Sequence, residues 1–184
     1  MTHNKSIILV TGPSRSGKSE WAETLASESG KSVIYVATAA VDPNDPEWMT
    51  RIQQHQQRRP AEWITVAEGI NLSKVLLTYP QSDCCLLIDS LGTWLANLLE
   101  QDHIAWTETV TTLLTSLTQT AADVILVAEE TGWGVVPAYP MGRSFRDRLG
   151  TLVRRVGAIA DTVYLVTGGY VLNLTQLGSP LPRE

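Results

Sequence analysis

The pattern of apolar and polar positions along the chain predicts strands that alternate with helices. Several apolar runs are short and continuous, as expected for strands that are buried on both faces of a sheet. The predicted strands are Ile7–Thr11, Ser32–Ala37, Trp63–Ala67, Cys84–Asp89, Asp123–Ala128 and Thr162–Thr167, with Tyr170–Leu174 as a last edge strand. This alternation is typical of an α/β protein with a mostly parallel central sheet flanked by helices.

The segments between these strands predict six helices. They cover Ser19–Ser29, Pro46–Arg58, Leu72–Thr78, Thr93–Gln101, Trp106–Ala121 and Arg143–Ala160. Asp45 and Pro46 favour the start of the second helix, because an acidic N-cap and a proline at the first position both suit a helix N-terminus. A chain of 184 residues is long enough for one such domain. Residues 1–184 are therefore predicted to form a single catalytic domain, with a loose tail over residues 175–184.

Charge and composition narrow the classes of function. The net charge is −5 and no basic run stands out, which argues against a nucleic-acid partner. Because no apolar stretch reaches the length of a bilayer and no signal-peptide pattern precedes the first strand, we expect no stable membrane insertion and a cytoplasmic location. Cys84 and Cys85 are adjacent in a strand and point to opposite faces, so they are predicted to be buried thiols rather than a disulfide or a zinc site.

A complete G-x-x-x-x-G-K-S phosphate-binding loop lies between the first strand and the first helix. Such a turn directs backbone N–H groups at one point, where the helix dipole adds partial positive charge. Lys18 is expected to reach the β- and γ-phosphates, and the Ser19 hydroxyl to bind Mg²⁺. A chance match on an ordinary turn is the alternative, which the flanking strand and helix disfavour. The residues predicted to bind a nucleoside triphosphate here are Gly12, Pro13, Ser14, Arg15, Ser16, Gly17, Lys18 and Ser19.

Asp89 ends an apolar strand, which is the usual setting for an acid that holds Mg²⁺ beside a phosphate-binding loop. The alternative is that Asp89 caps the helix that follows. The four residues from Asp89 also fit the D-x-x-G pattern of switch GTPases. The chain has no Asn-Lys-x-Asp motif for reading guanine, so a switch GTPase is not favoured.

His55 is the candidate nucleophile. Arg51 lies one helical turn before it, and Arg58 and Arg59 follow three and four residues later. Three guanidinium groups around one imidazole form an anion site, and their positive field is expected to lower the imidazole pKa and leave a neutral ring at pH 7. A solvated polar helix face is the alternative. A glycine-containing segment that includes Glu130 leaves the carboxyl end of a later strand, where α/β sheets bind ligands.

Together these residues resemble the family of bifunctional cobinamide kinase / cobinamide-phosphate guanylyltransferases of cobalamin assembly. The resemblance runs from Ile7 to about Leu174, and its most specific marks lie outside the phosphate-binding loop. They are Tyr35-Val36-Ala37-Thr38, Arg51-Ile52 with His55 and Arg59-Pro60, Glu130 with Gly132 and Gly134-Val135-Val136-Pro137, Arg143-Ser144-Phe145-Arg146-Asp147 with Gly150, and Ala160-Asp161 with Val163.

The resemblance implies a RecA-like P-loop NTPase fold, a homotrimer and two successive reactions. The family phosphorylates the aminopropanol hydroxyl of (adenosyl)cobinamide with ATP or GTP, and then transfers GMP from GTP to that phosphate. A histidine carries the GMP as a phosphoramidate, and the matching position is His55. The residue patterns and the resemblance together predict Lys18, Asp89 and His55 as catalytic residues. They also predict Arg51, Arg58, Arg59 and Glu130 among the nucleotide-binding residues, and Ser19 and Asp89 as ligands of Mg²⁺.

Two other functions stay open. One is a P-loop small-molecule kinase without nucleotidyl transfer, which needs no histidine nucleophile. The other is a non-catalytic nucleotide-binding regulator. This chain departs from the family at Glu129, where many relatives have Asn, and at Val153-Arg154, where the family often has Asn-Gln.

Overall fold

The structure, a computed structural model, describes residues 5–40, 46, 50, 53, 56, 57 and 59–182. Seven strands form one sheet in the spatial order β3-β2-β4-β5-β1-β6-β7. Every neighbouring pair from β3 to β6 is parallel, and β7 runs antiparallel to β6. The strands are β1 (Ile7–Gly12), β2 (Ser32–Ala37), β3 (Ile64–Ala67), β4 (Cys84–Asp89), β5 (Asp123–Glu129), β6 (Thr162–Thr167) and β7 (Tyr170–Asn173). The mostly parallel α/β fold predicted from the sequence is confirmed, and each strand end agrees within one residue.

Six helices with defined bounds lie in the described part of the chain. They are α1 (Lys18–Glu28), α2 (Leu72–Thr78), α3 (Leu91–Asn97), α4 (His103–Gln119), α5 (Pro140–Gly157) and α6 (Leu174–Leu177). None of these combines the length and the apolar composition that a membrane-spanning helix needs.

The predicted starts of α3, α4 and α5 are too late by two or three residues, and the predicted ends of these three helices are too late by two to four residues. Capping explains the starts. Ser90 caps α3 by accepting a hydrogen bond from the backbone N–H of Thr93, and Asp102 caps α4 in the same way. Pro140 opens α5, where a proline at the first position costs no hydrogen bond.

The helix predicted over Pro46–Arg58 falls mostly outside the described residues. Its five described positions, Pro46, Thr50, Gln53, Gln56 and Gln57, are all helical. The prediction near the C-terminus is wrong in another way. The helix α6 was not predicted, and it includes the first residues of the segment that was expected to be a loose tail. The Asn173 side chain accepts a hydrogen bond from the backbone N–H of Gln176, which ends β7 and begins this helix.

Two apolar layers cover the two faces of the sheet. The larger layer joins the sheet to α2, α3, α4 and α5 and contains Leu86 and Trp94. The smaller layer lies under α1 and contains Tyr35, Leu87 and Cys85. Neighbouring residues of β4 therefore enter opposite layers, which is why its sequence is apolar without a break. The prediction of two buried thiols is confirmed, and burial raises the pKa of Cys85 to about 11.

Candidate active site

The phosphate-binding loop connects the end of β1 to the start of α1. Gly12 has no room for a side chain, since a Cβ there would lie 2.3 Å from the backbone oxygen of Val166. Gly17 is the N-cap of α1 with a φ of 91°, a left-handed conformation that favours glycine. No side chain among the described residues caps this helix, so no side chain takes up the hydrogen-bonding capacity of its first N–H groups. This geometry suits an anion, as the sequence predicts.

Lys18 and Ser16 place two further donors in this loop. Lys18 is 8% exposed, and its Nζ lies 3.4 Å from the backbone oxygen of Pro13. The ammonium group is therefore folded back over the loop rather than extended into solvent. The Ser16 hydroxyl is buried and has no hydrogen-bond partner among the described residues. Such donors favour an acceptor supplied from outside the chain, and phosphate oxygens have that chemistry.

Asp89 lies beside this loop at the end of β4. The Ser19 hydroxyl donates to Asp89 Oδ1 over 3.4 Å, and the Tyr35 hydroxyl donates to Asp89 Oδ2 over 2.8 Å. Burial, and then the negative charge of Asp89, raise the pKa of Tyr35 above its ordinary value, so the phenol keeps its proton and acts as the donor. The alternative role of Asp89 as a helix cap is wrong, because Ser90 caps α3.

The pairing of Ser19 with Asp89 fits a magnesium ion. A hydroxyl and a carboxylate are oxygen ligands of the kind Mg²⁺ prefers, and the ion usually keeps several waters beside one or two carboxylates and phosphate oxygens. Across residues 5–40 and 59–182, and the isolated described positions between them, no group of three or more His, Cys, Asp or Glu side chains could hold a metal. Phosphate and water oxygens would be suitable further ligands of an ion at Ser19 and Asp89.

Arg59 is the one residue of the predicted anion site that the structure describes. Its guanidinium carbon lies 3.4 Å from the centre of the Tyr35 ring. The Arg59 Nε and Nη1 atoms are buried and have no hydrogen-bond partner in the described part of the chain. The structure therefore brings Arg59 next to the Tyr35–Asp89 pair. His55, Arg51 and Arg58 lie outside the described residues, and their grouping stays a prediction.

The segment after β5 runs next to the phosphate-binding loop. The backbone N–H of Glu130 donates to the backbone oxygen of Gly12 over 2.8 Å. The Glu130 carboxylate accepts from the backbone N–H of Gly132 at 2.5 Å, so it is turned onto its own loop. Arg146 Nη2 donates to the backbone oxygen of Gly132 over 2.7 Å. Contact between Glu130 and a nucleotide stays a prediction.

Comparison with known proteins identifies the family. The cobinamide kinase / cobinamide phosphate guanyltransferase family matches residues 8–174. This chain belongs to that family. A bifunctional adenosylcobalamin biosynthesis protein CobP of Pseudomonas aeruginosa is 38% identical over 94% of this chain and 98% of its own length. The bifunctional adenosylcobalamin biosynthesis protein CobU of Salmonella typhimurium is 34% identical over 89% of this chain and 96% of its own.

The fold of this family member is also found in a solved structure. A solved ATPase from the type III secretion system of pathogenic bacteria aligns with 95% of this chain and 53% of its own, with a TM-score of 0.54 and 10% identity. At this identity the likeness concerns the fold alone. It agrees with the RecA-like P-loop fold implied by the resemblance.

Sequence reasoning missed a polar network beside Asp89 in this family member. Ser90 Oγ donates to Glu129 Oε1 over 2.6 Å, and Thr38 donates to the backbone oxygen of Ser90 over 2.8 Å. Glu129 packs against Gly92, where a Cβ would lie 2.0 Å from Glu129 Oε2. Residues at the ends of β2, β4 and β5 meet here only because these strands are neighbours in the sheet. The chain order contains no local signal for that.

Proposed function

We propose that this chain phosphorylates the aminopropanol hydroxyl of (adenosyl)cobinamide with ATP or GTP and then transfers GMP from GTP to the new phosphate. The observation that supports both steps best is the phosphate-binding loop with Lys18 folded over it and with Ser19 paired to Asp89. These groups bind and orient a triphosphate. We infer cobinamide as the acceptor from membership of the family.

In the kinase step, the loop holds the triphosphate while the cobinamide hydroxyl oxygen attacks the γ-phosphorus. The bond between the γ-phosphorus and the oxygen that bridges it to the β-phosphorus breaks. The nucleoside diphosphate leaves, and the hydroxyl proton passes to solvent. Lys18 and the N–H groups at the start of α1 stabilise the charge on the transferred group. Ser19 and Asp89 are the proposed ligands of Mg²⁺, which would supply positive charge to stabilise the phosphate oxygens.

In the guanylyl step, we assign the nucleophile to His55. A neutral imidazole nitrogen attacks the α-phosphorus of GTP, and pyrophosphate leaves with the electrons of the broken P–O bond. An oxygen of cobinamide phosphate then attacks the same phosphorus, the N–P bond breaks and His55 is restored. Arg59, beside the Tyr35–Asp89 pair, supports this assignment.

The oligomeric state is part of the proposal. The resemblance implies a homotrimer, and the exposed apolar side chains of β7 and α6 favour burial against another subunit. Tyr170 is 75% exposed and Leu177 is 70% exposed. Light scattering coupled to gel filtration is expected to give three times the mass of the chain, and a monomer would contradict it. The cytoplasmic location and the single domain over residues 1–184 stay predictions.

A labelling assay tests the guanylyl step. The protein is incubated with GTP labelled at the α-phosphate and with Mg²⁺, and is then denatured. We expect acid-labile label on the wild type and none on His55→Ala, whereas His103→Ala, which changes an exposed histidine at the start of α4, keeps the label. His55→Ala is also expected to bind GTP as the wild type does.

Three outcomes would change the assignment. An unlabelled wild type that still phosphorylates cobinamide would leave a kinase without nucleotidyl transfer. A wild type that binds nucleotide but turns over neither substrate would leave a nucleotide-binding regulator. If His55→Ala abolished GTP binding, His55 would be a binding residue and its role as nucleophile would be wrong.

A further inference from the structure

Tyr35 is buried in the middle of β2 and points towards the candidate active site. It is 2% exposed and is paired in register with Leu87 on β4. Asp89 lies two residues beyond Leu87 and therefore on the same face of the sheet. Two residues of strand rise about 6.6 Å, a distance that a tyrosine side chain spans when it leans along the strand. This placement brings the phenol oxygen to 2.8 Å from Asp89 Oδ2.

The two oxygens of Asp89 have different neighbours. Oδ2 accepts from the Tyr35 hydroxyl, and Oδ1 lies 3.4 Å from the Ser19 hydroxyl on the side of the phosphate-binding loop. A hydrogen bond to a charged group is stronger than one between neutral groups and restrains the direction of the carboxylate. The Tyr35 hydroxyl thus holds Asp89 by one oxygen and leaves the other facing the loop.

Arg59 packs on the face of the Tyr35 ring. Its guanidinium group stacks on the Tyr35 ring at 3.4 Å, and its Nε and Nη1 atoms are buried. A guanidinium over an aromatic face is attracted by the ring, and the attraction is larger when the pair is desolvated. The Tyr35 ring is therefore fixed between the strand beneath it and the arginine that follows the predicted nucleophile by four residues.

We propose that Tyr35 is a positioning residue for the magnesium–triphosphate site, in which its hydroxyl orients the Asp89 carboxylate towards Ser19. Tyr35 itself touches neither nucleotide nor metal in this role and acts through Asp89. The inference rests on the proposed nucleotide-binding function and adds a residue to it.

The test compares Tyr35→Phe with the wild type in equilibrium binding of a non-hydrolysable GTP analogue, in EDTA and over a range of Mg²⁺ concentrations. The substitution removes one oxygen atom and keeps the ring under Arg59. We expect the affinity in EDTA to stay within about twofold and the Mg²⁺ concentration for half-maximal enhancement to rise about tenfold. Tyr164→Phe is the matched control. Tyr164 packs edge-on against Trp21 in the same apolar layer, and this variant is expected to behave as the wild type.

A double-mutant cycle tests whether Tyr35 affects the Mg²⁺ dependence of nucleotide binding through Asp89. If Tyr35 acts through Asp89, then Tyr35→Phe has no further effect on the Mg²⁺ dependence in an Asp89→Asn background. Equal losses of affinity in EDTA and in Mg²⁺, or a variant that circular dichroism shows to be unfolded, would mean that the hydroxyl serves the core and would overturn the inference. So would an unchanged Mg²⁺ dependence. A wild type that binds no nucleotide would instead remove the proposed function itself.

Discussion

Two loops leave neighbouring strands at the carboxyl edge of the sheet and differ in how they are built. The loop over residues 13–17 follows β1, and the loop over residues 130–139 follows β5. In the first, Lys18 at its end is 8% exposed, and a Cβ on Gly12 would meet backbone atoms. In the second, Val135 is 94% exposed, Tyr139 is 80% exposed, and a Cβ on Gly134 would meet nothing within 4 Å.

This difference in burial between the two loops indicates which part of the candidate site has a defined shape without a ligand. The first loop takes its form from the strand and helix that it joins, and its donors are directed inward. The second loop is tied near its two ends, where Glu130 bonds to Gly12 and Arg143 donates to the backbone oxygen of Ala138 over 2.7 Å. Between these ties its apolar side chains lie in solvent, so burial within the chain does not fix their positions.

The largest expected effect comes from removing the cation of the first loop. Lys18→Ala deletes a nearly buried ammonium group that we expect to touch the β- and γ-phosphates, and a hydrogen bond to a charged group contributes about 1.5–3 kcal/mol. Triphosphate affinity is therefore expected to fall by about 10- to 100-fold, with a loss of both kinase and guanylyltransferase activity. Isothermal titration calorimetry and the two activity assays measure this.

Lys74→Ala is the control for that change, because Lys74 is an exposed lysine on α2. Its affinity and both activities are expected to equal those of the wild type. Normal triphosphate binding by Lys18→Ala would show that the buried ammonium group stabilises the fold and does not bind the ligand. The difference in burial between the two loops would then have no bearing on ligand binding.

A second experiment adds the same methyl group at the residue that precedes the first loop and at a residue within the second loop. Gly12→Ala is expected to lower the free energy of unfolding by about 1–3 kcal/mol, because the new Cβ must displace backbone atoms of Val166. Gly134→Ala is expected to change it by less than about 0.5 kcal/mol. Urea denaturation of both variants measures the difference. Equal stabilities would mean that the chain relaxes around Gly12 and that the first loop is not rigid.

The smallest effect is expected from the exposed part of the second loop. Val135→Ser changes a side chain that is 94% exposed, so the free energy of unfolding should stay within about 0.5 kcal/mol of the wild type. Thermal and urea denaturation measure this. A loss of more than about 1 kcal/mol would show that Val135 is covered in solution, and the loop would then belong to an interface.

The fold was largely predictable because its periodic signals are local. The unbroken apolar run of β4 and the polar residues that bound it depend on neighbours in the chain, and so does the glycine pattern from Gly12 to Ser19. The starts of α3 and α4 were missed although Ser90 and Asp102 are good capping residues. Several polar residues near a helix start compete for that position, and only the backbone conformation decides which one caps.

The candidate site was predictable in part. Ser19 lies next to Asp89, since the end of β4 and the start of α1 are on one edge of a parallel sheet. The contact of Tyr35 with Asp89 and the pair formed by Ser90 and Glu129 were not predicted. These contacts join residues from 39 to 54 positions apart in the chain, and strand order alone brings them together.

The amino-acid sequence was enough to predict the kind of fold, the phosphate-binding loop, the acid at the end of β4 and the family, because each depends on short patterns or on residue identity. Only the three-dimensional arrangement shows which side chains contact that acid and which of the two loops is held by its surroundings. Those facts depend on the order β2-β4-β5-β1 of parallel neighbours and on the contact of Arg59 with Tyr35. A local pattern does not specify strand order, because the pairing of strands is settled by how the whole chain buries its apolar faces.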